Sequence, residues 1–589
     1  MHATSLRAAR LRCRRRMSFC CTAHQATPGS MGRMSQHLDD RVPAAQPAEA
    51  RPVTRGSWLA RPSTVYGFRA LQRRLQGPRW RFLETPLSLR LWYWLAPALM
   101  AAIGGVLRFV RLGEPKSLVF DETYYVKDAY SYLISGYERS WDKDPNPRFN
   151  VGDFSGLQSG PEFVVHPPVG KWLIAAGMQL FGPDSTFGWR FSSAVVGTLS
   201  IFIVALLAQK LFRSTILGAV AGLFMAVDGH AIVQSRTSLL DNFVMFFALL
   251  AFGALVMDRD DGRKRLARRL ARKMADEPDK AGSRHLLYGP WLGIRWWRIA
   301  AGVALGLCLG SKWSGLFFIA GFGLLTVFWD ISARRIAGIR YWFTGALLKD
   351  TPIAFVTIIP VALATYVASW TGWLLSSDAY NRNWADSNST PGWDWVPGPL
   401  RSLWNYHQAM YSSGLSIDSD HPYKANAWSW FVMGRPTSFF AEYPDNQCGA
   451  AKCAQVVTSL GNPLIWWGGA AALVFLIGYW ILRRDWRAGA ILCGWAVGYL
   501  PWMMYPSRTI FFFYAIAYEP YMILALVFCL GLVLGKAEDP PWRRQQGMVL
   551  VGFFVVLVVL VSAFFLPLWT AQTISYDDWR SHMWMPSWI

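Results

Sequence analysis

Negative charge is scarce in this chain: 37 Asp and Glu stand against 59 Lys and Arg, and charged residues of either sign make up 16% of its 589 residues. With 53% hydrophobic residues, collected in blocks long enough to cross a bilayer, the sequence is too apolar for a soluble globule of this size and reads as a polytopic membrane protein. The eight Cys show no zinc-type spacing, and several lie in apolar blocks or near the N-terminus, which argues against a zinc module. No internal repeat or low-complexity tract is present, which argues against a transporter built on inverted repeats. Residues 1–88 hold no apolar run of signal-peptide length and are rich in Arg and Pro, so they read as a basic, mostly disordered cytoplasmic arm rather than a cleaved leader. Two readings of that arm stay open: a tether to anionic lipid, and a solvated tail or over-extended start with Met17, Met31 or Met34 as the first residue.

The formal net charge of +22 does not point to nucleic acid. Lys and Arg fall mainly in the arm and in short segments between apolar blocks, which is the placement that orients a membrane protein. Crossings are predicted at 91–110, 190–211, 215–234, 239–257, 299–310, 313–329, 352–373, 464–482, 488–504, 509–534 and 547–569, about eleven in all. With the N-terminus cytoplasmic, the basic segments near Lys210, at 259–280 and 334–349, and near Arg483 and Arg544 all fall inside. The outside then holds two long loops, 111–189 and 374–463, and an external tail, 570–589. The predicted fold is an all-α polytopic membrane protein, with an N-terminal membrane module over 89–373 and a C-terminal one over 464–569. Within the first loop, KWLIAAGMQLFG at 171–182 is too short to span and suits an interfacial helix that pins the loop to the membrane.

Chemistry concentrates in that first loop. FDETYY, 120–125, sets two carboxylates just past the first apolar run, and an acidic pair at a bilayer edge is costly unless it has a task. Arg190, Arg236, Asp241 and Lys312 fall on the same side, with His166 and Lys171 in HPPVGKW. Each has a plainer reading: Arg236 and Asp241 as a local ion pair, Arg190 and Lys312 snorkelling to the interface, His166 capping a turn. Together they suit group transfer, in which a carboxylate takes a hydroxyl proton while fixed cations accept the charge growing on a departing phosphate. Such cations suffice without a divalent metal, so no cofactor or metal is expected. Two carboxylates also suit glycoside hydrolysis, but a hydrolase gains nothing from so many crossings. Cys448 and Cys453, in the second loop, suit a disulfide on an oxidising side of the membrane.

FDETYY with HPPVGKW, then WRFSSAVVG, SRTSLLDNFVMFF, GSKWSGLF, HPYKANAWSW and GNPLIWW, in that order across about 110–535, resembles the protein O-mannosyltransferases, above all the actinobacterial members. The resemblance implies the GT-C glycosyltransferase fold and inverting transfer of mannose from polyprenyl phosphate mannose to Ser/Thr hydroxyls. It implies Asp121 as catalytic base, Glu122 as positioner of the acceptor peptide and Arg190 at the donor phosphate. His166, Lys171, Arg236, Asp241 and Lys312 are implied around the donor, and His421, Tyr423 and Trp428 as acceptor or loop contacts, although an aromatic belt also explains the Trp residues. The implied partners are the polyprenyl donor, secreted or membrane proteins bearing Ser/Thr and open to encounter during Sec translocation, and the lipid bilayer. The second loop has no room for the β-trefoil domain of eukaryotic members. Rival readings are a transferase of this architecture acting on a lipid or glycan, and a transporter. The latter would set charges at mid-membrane in broken helices.

Overall fold

The computed structural model describes residues 71, 72, 74, 75, 87–276, 287–536 and 538–589. Nearly all of the predicted arm, with its three alternative start methionines, lies outside the described residues. Leu71 and Leu75 are not solvated: they are buried against Leu266, Leu270 and Ala333, and Arg263 Nη1 donates to the Leu75 carbonyl at 2.7 Å.

The fold is mostly helical. In chain order its principal helices are α1 (Leu87–Phe109), α2 (Glu122–Ser135), α3 (Val169–Phe181), α4 (Thr186–Phe212), α5 (Thr215–Val227), α6 (Gly229–Ser235), α7 (Leu240–Asp276), α8 (Trp296–Ser311), α9 (Gly315–Ile336), α10 (Thr351–Ser369), α11 (Gly398–Leu415), α12 (Pro463–Arg483), α13 (Trp486–Tyr499), α14 (Glu519–Leu534) and α15 (Pro541–Trp569). Among the described residues, seven helices are long and apolar enough to cross a membrane: α1, α4, α7, α9, the run Trp342–Ser369, α12 and α15. An eighth is counted if α5 and α6, bent by 62° at their junction, form one span. About eleven crossings were predicted; α8 and α14 are apolar but have only 16 residues each, and 509–534 opens not as α-helix but as the 3-10 turn Phe512–Ala517. Residues 512–528 are buried throughout, Glu519 included, so their apolar character reflects a core position rather than contact with lipid.

Two further features depart from the sequence reading. The basic run 259–276, expected as a loop, continues α7 as helix. Buried charges beside the start of that run are paired, Arg295 with Asp258 (3.0 Å) and Asp330 (2.9 Å), and Arg334 with Asp350 (2.6 Å). The chain is also not all-α. β1 (Arg139–Trp141) pairs with β2 (Leu157–Pro161), while β3 (Thr437–Glu442), β4 (Cys453–Ser459) and β5 (Thr573–Ser575) form an antiparallel sheet in the order β3-β4-β5. The predicted tail is thus the third strand of a sheet built on the second loop, and Arg435 Nη1 holds the Ser587 and Ile589 carbonyls at 2.6 and 2.5 Å. Cys448 and Cys453 are disulfide-bonded beside β4.

The α5–α6 bend joins the two halves of the chain. Asp228, extended between the helices, caps α6 by accepting from His230 N and Ala231 N, and its other oxygen accepts from Asn462 N and Trp466 Nε1 at the start of α12. Gly229 is required there: a Cβ would lie 1.8 Å from the Trp569 ring.

Candidate active site

The acid pair sits where a turn enters α2. Phe120, just before it, has φ +48°, a left-handed conformation costly for a bulky residue, and is held there by rings on several sides: His421 at 5.7 Å, Phe439 at 5.2 Å, Phe511 at 5.4 Å and Phe513 at 5.6 Å. Four rings from three parts of the chain therefore fix the direction in which Asp121 leaves the turn.

The two carboxylates have opposite surroundings. Glu122 is fully buried, and its oxygens accept from Arg190 Nε (2.9 Å), Arg190 Nη2 (2.8 Å), Val119 N (3.0 Å) and Ser238 N (2.9 Å). Arg190, equally buried, spends its remaining donors on the carbonyls of Leu112, Pro115 and Ser117. A guanidinium has five N–H groups, and all five are used inside the chain. The pair therefore staples the 112–122 turn to α4 and α7. Asp121 is half-buried, with no cation within ion-pair distance among the described residues, and its one side-chain contact is a long 3.4 Å bond from Tyr125 Oη. Burial pushes its carboxyl up to about 6, against the pull of Lys312 and with the push of Asp241.

Those two residues form the next element of the site. Lys312, between α8 and α9, gives two bonds to Asp241 Oδ1 and Oδ2 (3.0 and 2.9 Å) and lies 3.9 Å from the Tyr514 ring. A third donor of the ammonium is left over. The predicted Arg236–Asp241 ion pair does not form. Arg236 instead donates to the carbonyls of Leu107, Arg108, Val110 and Arg111, satisfying the orphan acceptors at the end of α1. Neighbouring positions of the same motif have separate tasks: Ser238 N reaches Glu122, and Asn242 Nδ2 reaches the Ser193 carbonyl at 3.0 Å.

The predicted site residues thus divide. His166 packs on Tyr125 with ring centroids 5.7 Å apart, and burial together with Lys312, Lys171 and Arg508 holds its imidazole well below the ordinary value, hence neutral. His421 joins Asp121 through Phe120, and its Nδ1 accepts from Tyr423 N at 3.1 Å. Lys171 is buried between Asp128 (3.0 Å) and Glu138 (2.8 Å), which fastens α3 to α2, so α3 is packed as part of the module rather than merely resting at an interface. Trp428 is exposed, and Cys448 and Cys453 order a loop beside the sheet. Among the described residues no group of three His, Cys, Asp or Glu side chains is placed to hold a metal.

Sequence reasoning missed Arg508. It lies close enough to Tyr514 and His166 to act on both, and its Nε is buried without a partner. The next residue joins the HPYKANAW loop, with Thr509 N donating to the Ile417 carbonyl at 3.0 Å, while Ala425 N donates to Ile510 O at 2.9 Å. The available signal was a lone Arg in the turn before FFFY, on the side of the acid pair.

Comparison with known proteins fits this geometry. Residues 98–271 match the family model "Dolichyl-phosphate-mannose-protein mannosyltransferase", and residues 399–588 match "C-terminal four TMM region of protein-O-mannosyltransferase". The chain is 36% identical over 508 residues to the polyprenol-phosphate-mannose–protein mannosyltransferase of Mycolicibacterium smegmatis (strain MKD8), covering 84% of this chain and 93% of that one. The Mycobacterium tuberculosis protein of the same description (strain CDC 1551 / Oshkosh) is 33% identical over 85% of this chain and 92% of its own length. The solved S. cerevisiae Pmt1-Pmt2 complex bound to the sugar donor shares the fold, with a TM-score of 0.61 at 16% identity, covering 90% of this chain and 95% of that one. On these matches, which span most of its length, the chain belongs to the protein O-mannosyltransferase family.

Proposed function

We propose that this protein transfers mannose from polyprenyl phosphate mannose to Ser and Thr hydroxyls of proteins, with Asp121 as the base. The observation that carries the reading is the contrast within the acid pair: Glu122 is consumed by Arg190, whereas Asp121 stands half-buried and unpaired beside the Lys312–Asp241 pair. The acceptor oxygen bonds to C1 of the mannose as the C1–O bond to phosphate breaks, the bonding pair leaves with the phosphate, and the hydroxyl proton passes to Asp121. Family membership supports inversion at C1. A carboxyl with a value near 6 is ionised at neutral pH yet basic enough to share a proton in the transition state. Lys312, with one donor unused, and Arg508, with Nε unpartnered, are the cations suited to the phosphate as its charge grows. This assigns Arg190 and Glu122 to positioning Asp121 rather than to donor and acceptor. His421 and Tyr423, in the loop tied to the turn after Arg508, then border the acceptor.

The orientation that suits a secreted or membrane-protein acceptor puts this face outside, the N-terminus in the cytoplasm and the C-terminus outside. A GT-C arrangement of about eleven crossings, with α8, α13 and α14 as short buried ones, is part of the same reading. Purified protein given labelled donor with either a Ser/Thr peptide or a lipid acceptor tests it. Peptide labelling that is sensitive to α-mannosidase is expected, and labelling of the lipid alone would overturn it.

A further inference from the structure

The run Phe511–Tyr514 sets four aromatic residues in a row, and only the last carries a hydroxyl. Tyr514 is buried in the 3-10 turn Phe512–Ala517, with Trp502 4.7 Å, Phe513 4.8 Å and Phe511 6.2 Å from its ring. These three rings fix its orientation, and the Lys312 ammonium covers its face at 3.9 Å. A phenol oxygen lies in the plane of its ring, so the hydroxyl and the ammonium are set side by side. That hydroxyl makes no hydrogen bond among the described residues, although Lys312, Arg508, Asp121, Asp241 and Tyr125 are all close enough to act on it. Neither carboxylate takes its proton: both Asp241 oxygens accept from Lys312, and the Asp121 side chain accepts from Tyr125.

A buried Tyr hydroxyl ordinarily finds a partner inside the chain, as Tyr366 does on His407 and Tyr521 on the Ala248 carbonyl. Tyr518 also lacks one, but it packs among the rings of Phe431, Trp466 and Tyr499, whereas Tyr514 stands beside two cations with donors to spare. An anion held by Lys312 and Arg508 would bring an acceptor to the idle hydroxyl, and a hydrogen bond to a charged group is the strong kind. We propose that Tyr514 is a third hydrogen-bond donor to the phosphate of the lipid-linked sugar, its O–H bonding a non-bridging oxygen as negative charge grows there. The phenol keeps its proton, no covalent bond changes at it, and the proton released in transfer goes to Asp121. A neutral donor suits the place, because a third cation beside Asp121 would lower its basicity. Sugar hydroxyls are the other acceptors available, but they carry no charge for Lys312 and Arg508 to hold. The proposal rests on reading those two cations as phosphate ligands and is independent of which carboxylate is the base.

Tyr514→Phe is the test, because the ring, its contact with Lys312 and the packing all stay while a hydroxyl with no partner in the chain goes. Binding of polyprenyl phosphate, polyprenyl phosphate mannose and chain-matched polyprenol is measured on the full chain in detergent, with thermal melting of the same preparations. Affinity for both phosphorylated lipids is expected to fall about tenfold, the loss of one hydrogen bond to a charged group, while polyprenol binding and the melting temperature hold. Tyr518→Phe, which removes the unpartnered hydroxyl four residues on, should leave all three affinities as they are. Unchanged affinity for polyprenyl phosphate in Tyr514→Phe, a loss confined to the mannosyl lipid, a parallel loss of polyprenol, or an equal loss in Tyr518→Phe would each overturn the proposal. Polyprenyl phosphate carries no sugar to transfer, so its binding reads Tyr514 whether or not Asp121 is the base. Arg508→Gln in the same assay reads the cations separately: an effect there with none in Tyr514→Phe removes the tyrosine alone.

Discussion

Replacing Arg190 by Ala distinguishes a phosphate ligand from a structural staple. Both side chains of the Arg190–Glu122 pair are fully buried, so deleting one partner strands a carboxylate away from water, a loss of about 3–5 kcal/mol. The carbonyls of Leu112, Pro115 and Ser117 lose their donors as well, each worth about 1–3 kcal/mol if left unmet. Partial relaxation keeps these from adding in full, so a destabilisation of at least about 3 kcal/mol is expected. Arg190→Lys keeps a charge but offers at most three donors without the planar fork, so it should fall between Ala and wild type. The double variant Glu122→Leu/Arg190→Met removes both charges together and should recover much of the stability without recovering transfer, because the 112–122 turn is then no longer pinned. Thermal unfolding by fluorescence-detected gel filtration in detergent, paired with donor affinity, reads all four proteins. If Arg190→Ala melts with the wild type while its donor affinity falls tenfold, the staple is wrong and Arg190 is a donor ligand after all.

Four further outcomes follow from the same geometry. The pH dependence of transfer should show an acidic limb near 6, rising as Asp121 ionises; in Asp241→Asn the limb should move to lower pH, because a charge that raises Asp121 is gone and Lys312 is released toward it. The folded value of Asp121 lies above its ordinary 3.8, so its stabilising effect is present only when it is protonated and is lost as pH rises through about 6. Asp121→Asn should therefore melt higher than wild type at pH 7.5 and equal to it at pH 3.5. Arg508→Gln and Lys312→Met should weaken donor binding and slow turnover together, with Lys312→Met also destabilised because Asp241 is left buried alone; unchanged donor affinity in both would remove them from the phosphate. Deleting residues 570–589 strips the third strand of a sheet and the Arg435 contacts, and should lower the melting temperature rather than leave it unaltered as a free tail would.

The sequence exposed the acid pair, the membrane class and most long helices because those signals are local. Partners were hidden, since Glu122 meets Arg190 across 68 residues and Lys312 meets Asp241 across 71, distances at which spacing says nothing. Arg236 illustrates the limit: five residues from Asp241, it was best spent on the end of α1, where four carbonyls outcompete one carboxylate already held by Lys312. The surplus of predicted crossings has a related cause. Segments such as 512–528 are apolar because they are the core, and a hydrophobic run does not reveal whether lipid or protein covers it. The β3–β5 sheet was missed because its third member has only three residues and comes from the far end of the chain.

The most direct test of the central assignment is single-turnover mannosylation of a Ser/Thr peptide by wild type and Asp121→Asn at pH 7.5, at matched donor occupancy. Asn keeps the shape and the donor contacts but cannot take the proton, so the rate should fall by about 10²–10⁴-fold with donor affinity unchanged. A variant that retains more than about a tenth of the wild-type rate, a loss far smaller than removal of a general base produces, would contradict it.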